Sequence, residues 1–362
     1  MYKVVKFKKQ EKYINDFLSL PGKLYDKNTI TQNKSEEVKI LNEVHSLSKY
    51  FDIIRYLCYD GDGNVIARAL VTIYPDKKEK EAYVGFFESY DNVSAVKALF
   101  SIIERDLKKL SIKKIIGPIN SSFWIGYRMK IDNFDDEIYV GEPYNKEYYY
   151  KLFKKCGFKT YKKYSSNIYE ITSKDYNPEK YEKRYNEFIE KGYVIKSPKN
   201  KKEFDVAFKI VYDLLIELYK DFPIFKNISK KDYKKYYSFY SVIANYKYMK
   251  LAYYNDEPVG FFVGIPNYRN LMYRKMNIFL KIKFLYLKYF NKSFVAQYIG
   301  VKPEHKGLGK AIIYTILQEA KKCNGKIIGA LIEGDKVTGK YFDDTITNRY
   351  NYLLLEKNIG EK

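Results

Sequence analysis

Histidine, cysteine and tryptophan are the scarce side chains of this 362-residue chain, at two, three and one respectively. So few histidines, with Cys58, Cys156 and Cys323 far apart, leave no way to assemble a Cys/His metal site. An odd, scattered set of cysteines reads as free thiols in a reducing compartment, so a cytoplasmic protein is expected. No uncharged apolar run reaches the roughly 18 residues of a membrane span. The start, Met1 to Lys12, alternates lysine with apolar residues and does not read as a secretory signal. No Pro/Ser-rich or low-complexity tract breaks the chain.

Basic side chains are abundant: 66 Lys and Arg against 44 Asp and Glu give a formal charge of +22. That charge suits a polyanionic partner: nucleic acid, anionic membrane or a phosphorylated cofactor. It also fits a compositional bias, since lysine and the 41 tyrosines are spread along the whole sequence. No arginine-rich face or nucleic-acid motif stands out, so nucleic acid is not an expected partner. The length favours two domains.

Period-two patterning predicts strands at Asp52–Tyr59 and Val65–Tyr74 around an Asp-Gly-Asp-Gly turn, then at Ala82–Glu88. That turn lacks the spaced carboxylates of a calcium loop. Helical spacing follows over Asn92–Leu110, with Asp91 as a candidate cap. A strand at Lys114–Gly117 and a short helix at Tyr148–Cys156 come next. The second half runs through the same order: helices at Glu203–Tyr219 and Lys230–Ala244, a hairpin at Tyr248–Ile265 and a strand at Phe294–Val301. A helix at Gly309–Lys322 and strands at Lys326–Glu333 and Arg349–Leu355 complete it. Two passes through one order suggest duplication. The charged stretch from Tyr176 to Pro198 is the best linker region, and the domains are expected at 1–175 and 176–362.

The most informative segment is Tyr298-Ile299-Gly300-Val301-Lys302-Pro303-Glu304-His305-Lys306-Gly307-Leu308-Gly309-Lys310-Ala311. A strand, a glycine loop and a helix start make an anion site, because unpaired N–H groups and the helix dipole both face the incoming charge. Gly307 and Gly309 let main chain approach a phosphate, and Lys306 and Lys310 add charge. A dinucleotide fingerprint fails for want of the third glycine, and a P-loop fails for want of Gly-Lys-Ser/Thr.

The string Val-x-Pro-x-x-x-Gly-x-Gly-x-Ala resembles the coenzyme-A motif of the GNAT acyltransferase superfamily, with Lys306 where Gln or Arg is usual. The resemblance covers about Ser197 to Asn358. Gly117-Pro118-Ile119-Asn120-Ser121-Ser122, Tyr144 to Tyr149 and Pro258 to Phe262 are further similar to bacterial tandem GNAT-like proteins of mostly unassigned substrate. The resemblance implies an α/β (α+β) fold of tandem GNAT-like domains, each a mixed, mostly antiparallel twisted sheet flanked by helices. In such proteins the N-terminal domain is degenerate. Here Ser89-Tyr90-Asp91-Asn92-Val93 has no glycine loop, so one cofactor site is expected.

The implied activity is direct transfer from an acyl-CoA, acetyl-CoA above all, to an amine of a small molecule or peptide. Tyr298, Ile299 and Val301 would face the cofactor, with Lys306, Gly307, Leu308, Gly309, Lys310 and Ala311 at its diphosphate. The Val301 main chain would polarise the carbonyl. Relatives often carry a Glu on the motif strand, whereas this chain has Ala296, Gln297 and Tyr298. Glu333 is a candidate base, with an exposed strand end as the alternative. Tyr341 is a candidate acid, with a packing role as the alternative. His305 reads as a phosphate neighbour or loop residue. Asn120, Ser122 and Tyr144 are candidate acceptor contacts, with a polar loop beside Trp124 as the alternative.

Between Glu257 and Glu304 no acidic residue occurs. The segment 267–293 interleaves basic and apolar residues, reading either as a packed insertion or as a helix touching anionic membrane. A Fem-type aminoacyltransferase using charged tRNA, and a non-catalytic coenzyme-A or membrane-binding module, stand as alternative functions.

Overall fold

The computed structural model describes residues 2–75, 80–170, 178–322, 325–334 and 346–360. Contacts divide the chain into two units, one running to Tyr164 and resuming at Asn351, the other spanning Ser165–Tyr350. The expected division at 175/176 places residues 351–362 differently. They join the first unit because their strand is hydrogen-bonded there.

The first unit opens with β1 (Lys3–Phe7), α1 (Glu11–Leu24) and α2 (Lys34–Leu41), none of which the sequence patterning singled out. The strands β2 (Asp52–Tyr59), β3 (Val65–Ile73) and β4 (Glu81–Ser89) follow as an antiparallel meander. The turn between β2 and β3 closes on Asp60, whose carboxylate accepts from the Asp62 and Asn64 amides at 3.0 and 2.8 Å. Next come α3 (Val93–Lys109), β5 (Lys114–Gly117), β6 (Met129–Lys130) and α4 (Tyr149–Lys155). Asn92, rather than the expected Asp91, caps α3 by accepting from the Ala95 amide at 3.0 Å.

Both faces of this sheet are covered. Helices α3 and α4 bury Val96, Leu99, Phe100, Leu152 and Phe153 on one face. Phe17 and Leu18 of α1, with Ile40 and Leu41 of α2, cover the other. Three-layer burial explains the nearly continuous apolar runs of β3 and β4. Cys58 and Cys156 are buried free thiols; Cys323 lies outside the described residues.

The strand β7 (Lys159–Glu170) leads into the second unit. There α5 (Glu179–Glu190) and β8 (Val194–Lys196) occupy the expected linker. Then come α6 (Lys201–Tyr219), α7 (Lys230–Tyr236), α8 (Tyr240–Ile243), β9 (Met249–Tyr254) and β10 (Glu257–Pro266). The single helix expected over 230–244 is therefore two. Asn255 and Asp256, both left-handed, make the tight hairpin turn between β9 and β10. After β10 come α9 (Ile278–Phe290), β11 (Ser293–Val301), α10 (Leu308–Lys322), β12 (Lys326–Glu333) and β13 (Ile346–Asn358).

Within the second unit the strand order is β7-β12-β11-β10-β9-β8, with β11 and β12 parallel and β8 to β11 antiparallel to their neighbours. Helices α10 and α5 cover one face through Leu308, Ile312, Ile316 and Phe188. The other face carries α6: a Cβ at Gly300 would stand 2.7 Å from Leu218 Cδ1, while one at Gly260 would meet Ile312 of α10 at 3.1 Å.

From Asn351 the strand β13 belongs to the first unit. Leu355 pairs with Gly117 and Tyr352 with Lys130. The Tyr352 hydroxyl donates to buried Glu142 at 2.7 Å, and Glu142 also pairs with Lys130 at 2.6 Å. A buried carboxylate needs such partners, which ties the chain's last strand to residues 129–142.

Candidate functional site

The two units repeat one supersecondary unit: β4-α3-β5 in the first and β11-α10-β12 in the second, each with parallel strands. In most respects the second copy is open where the first is closed.

In the second unit, β11 and β12 pair from Ser293↔Lys326 to Ala296↔Gly329. Beyond that, β11 continues to Val301 with β10 as its only paired strand among the described residues. The Lys302 amide donates to the Val259 carbonyl at 2.9 Å. Antiparallel alternation then turns the amides of Gly300 and Tyr298 toward β10, and those of Ile299 and Val301 away from it, into the opening. The Ile299 carbonyl bears this out by accepting from the Tyr219 hydroxyl of α6 at 3.3 Å. At the mouth of the opening a bulge in β11 leaves Gln297 as an extra residue between the pairs Val263↔Tyr298 and Gly264↔Ala296.

Strand β11 runs into a single tight turn at Pro303–His305, where the His305 amide donates to the Lys302 carbonyl at 3.0 Å. Gly307 follows with φ +99°, a left-handed conformation that glycine adopts without strain. Helix α10 starts at Leu308, and the Lys310 amide closes on the Gly307 carbonyl at 3.1 Å. Among the described residues no protein acceptor meets the amides of Gly307, Leu308 or Gly309. Three unpaired donors at a helix start suit an anion.

Lys306 is exposed, and Lys310 is half-buried beside it. The side chains of Leu308 and Ala311 are fully buried and pin α10 to the sheet, so only their main chain is available to a ligand. A further cation emerges only from the fold. The Arg184 guanidinium of α5 lies 3.8 Å from where a Gly307 Cβ would stand, with Phe188 at 3.7 Å. Arg184 is also held by Glu187 at 2.7 Å. His305 Nδ1 meets the Tyr193 hydroxyl at 2.7 Å, and its ring packs edge-on to Tyr193, so it braces the loop.

On the α6 face the opening is lined by tyrosines. Tyr219 stands edge-on to Tyr298 with ring centroids 6.2 Å apart. The Tyr240 hydroxyl of α8 donates to Gln297 Oε1 at 2.7 Å. Tyr233 of α7 and Tyr237, just past its end, are buried, and the Tyr237 ring stands edge-on to Tyr240 at 5.0 Å. Burial first, then the Tyr298 phenol, raises the hydroxyl pKa values of Tyr233, Tyr237 and Tyr240. These three phenols therefore stay neutral near pH 7 and do not act as bases. No local signal separates them from the other tyrosines in the sequence.

Glu333 lies at the end of β12, past the last residue paired to β11, and is half-buried. Tyr341 falls in 335–345, outside the described residues.

The acceptor candidates of the first unit are engaged within that unit. Asn120 Oδ1 accepts from the Phe86 amide at 2.7 Å, and the Asn120 amide donates to Gly126 at 2.7 Å. Ser122 is buried, with Oγ accepting from the Trp124 amide at 3.3 Å. The Tyr144 hydroxyl donates to the Phe134 carbonyl at 3.1 Å. Asn120 also explains the closed copy. After β5 the chain runs on along β4: the Ile119 amide donates to Val84 at 2.8 Å, and Phe86 takes φ +47° to reach Asn120. A Cβ at Gly85 would stand 1.9 Å from the Ile119 carbonyl oxygen, so main chain fills the edge that stays open beside β11. Among the described residues no cluster of His, Cys, Asp and Glu could hold a metal ion.

No family model matches the sequence, and no curated protein matches it. Solved structures do. The chain is similar to a tandem GNAT protein from the clavulanic acid biosynthesis pathway, with TM-score 0.53, 10% identity and 100% of each chain covered. It is similar to the GCN5-related glucosamine N-acetyltransferase region of a fungal multi-domain GH3 β-N-acetylglucosaminidase, with TM-score 0.55 and 13% identity, covering 98% of this chain and 38% of that one. A probable N-acyltransferase from Enterococcus faecalis V583 matches with TM-score 0.51 and 9% identity, covering 99% and 73%. Such identities carry the fold: this chain has the tandem GNAT fold.

Proposed function

We propose that this tandem GNAT-fold chain is an acyltransferase that moves an acyl group, acetyl in the first instance, from coenzyme A to an amine, using one cofactor site in the second unit. The observation that carries this is the opening beside β11 running directly into three unpaired amides at the start of α10. The residues fit the group. The amides of Gly307, Leu308 and Gly309, with Lys306, Lys310 and Arg184 around them, would hold the diphosphate. The free edge at Ile299 and Val301 would pair with the amide-bearing arm as an added strand would. Coenzyme A supplies the activated thioester.

The chain's own groups do the rest. An outward Val301 or Ile299 amide donates to the carbonyl oxygen as charge develops there, and a preorganised donor of this kind is worth about 3 kcal/mol of barrier. Tyr219, Tyr240 and Gln297 form a neutral wall on the acceptor side that orients the amine and excludes water. Glu333, on the strand across the opening, is the proposed proton acceptor, and Tyr341 the proposed donor to the departing thiolate. Asn120, Ser122 and Tyr144 take no part in this reading, because each is occupied inside the first unit. The filled edge of β4 supports a single site.

Calorimetry with acetyl-CoA tests the cofactor reading: one site is expected, with affinity weakened about fivefold by Arg184→Ala, equivalent to about 1 kcal/mol. Absence of binding refutes it. Thiol release across an amine panel, compared with Glu333→Gln, tests the transfer.

A further inference from the structure

Helix α9 has no buried residue, although it is among the most apolar segments of the chain. Ile278, Phe279, Ile282, Leu285, Tyr286 and Phe290 are each 60 to 79% exposed. At about 100° per residue these six fall on one continuous arc of the helix. Lys283 borders one edge of the arc and Lys281 the other, and no acidic residue occurs anywhere between Glu257 and Glu304.

The opposite side of α9 is fixed to the second unit. Phe284 stacks on Tyr268 with ring centroids 4.8 Å apart, and the Tyr268 hydroxyl donates to the Ile243 carbonyl at 2.7 Å. Lys288 Nζ donates to the Val242 carbonyl at 2.8 Å, and Asn245 Nδ2 to the Lys288 carbonyl at 2.8 Å. The helix is therefore held in one orientation with its apolar arc outward.

We propose that this arc docks the protein on an anionic lipid surface, the apolar side chains entering the acyl boundary and the lysines meeting lipid phosphates. Single exposed apolar residues are ordinary, but a contiguous patch on an anchored helix is an interaction surface. A lysine-rimmed apolar face matches an anionic bilayer in both chemistry and charge. A second copy is the poorer occupant, since it would bring two lysine rims together. None of the described helices is long and apolar enough to cross a membrane, so the contact is peripheral. The inference is independent of the acyl-transfer reading.

The test is sedimentation of the full chain with vesicles of phosphatidylcholine alone or mixed with phosphatidylglycerol. Binding to the mixed vesicles only, weakened by salt, is expected. Ile282→Glu with Leu285→Glu should weaken it at least tenfold without altering the circular dichroism. Lys281→Glu with Lys283→Glu should also weaken it. Phe279→Trp should show a blue-shifted emission only with mixed vesicles. No sedimentation overturns the proposal. So does binding undiminished by the Ile282/Leu285 variant, which would mark adhesion through the overall charge. A dimer that the same variant splits, without vesicle binding, would give the arc to a second copy and overturn it too.

Discussion

Alanine at Gly300 is expected to damage the second unit and its chemistry together. A Cβ there would stand 2.6 Å from Phe261 Cε1 and 2.7 Å from Leu218 Cδ1. Relaxed carbon contacts lie near 3.5 to 4.0 Å, so roughly 1 Å must be found between β11 and α6. Phe261 is fully buried and cannot swing aside, whereas Leu218 is half-buried and gives partly. Overpacking of this size costs about 1–3 kcal/mol. For a domain of this size that is a fall in Tm of about 3–10 °C.

The simplest relief is displacement of β11 away from α6, which moves the outward amides of Ile299 and Val301. A misplacement of about 1 Å at a reacting group can cost about 100-fold in rate. Thermal unfolding should therefore drop by several degrees, and kcat for acyl transfer should fall more than coenzyme-A affinity. Leu218→Ala in the same chain should restore part of both. An unchanged Tm would refute the close approach of α6. A lowered Tm with undiminished kcat would refute the role given to the β11 amides.

Gly307→Ala forces a side chain into φ +99°, at about 1–2 kcal/mol, although its Cβ has room beside Phe188; coenzyme-A affinity should fall at least tenfold by calorimetry with a small loss of Tm, and unchanged affinity would remove the loop from the site. Asn120→Ala leaves the Phe86 amide without its acceptor and should cost about 1–3 kcal/mol; Tm should fall while KM for the amine stays put, and the reverse pattern would return Asn120 to the acceptor site. The Glu36 carboxyl is held down to about 2, first by the hydrogen bond from His45 and then by Lys39. A depressed carboxyl stabilises the fold above its unfolded pKa, so this contribution is complete above about pH 4.5 and is lost as pH falls toward about 2. Glu36→Gln should flatten the stability profile across that window, and an unchanged profile would mean the ion pair contributes nothing.

The glycine loop was legible in the sequence because everything it needs is local. Val301, Pro303, Gly307 and Gly309 at fixed spacing end a strand, make a turn and start a helix, whatever surrounds them. The hairpin at Asn255-Asp256 and the helix Val93–Lys109 were legible for the same reason: their periodicity and turn chemistry lie within a few residues. The resemblance carried the tandem fold from other short strings, Gly117 to Ser122, Tyr144 to Tyr149 and Pro258 to Phe262, beside the glycine loop.

Other features depended on partners distant in the chain. Arg184 belongs to a charged stretch that read as linker until Tyr181 and Phe188 found α10 to pack on. Whether Asn120 faces a ligand or an amide was undecidable locally, because its partner Phe86 lies on another strand. Tyr219 and Tyr240 are ordinary tyrosines until α6 and α8 bring them to β11. Sequence by itself determined that a strand, a glycine turn and a helix would follow one another after residue 293. Tertiary structure alone decided that β12 parts from β11 after Ala296 while main chain fills the matching edge of β4. Strand separation is a relation between segments, and no single segment encodes it.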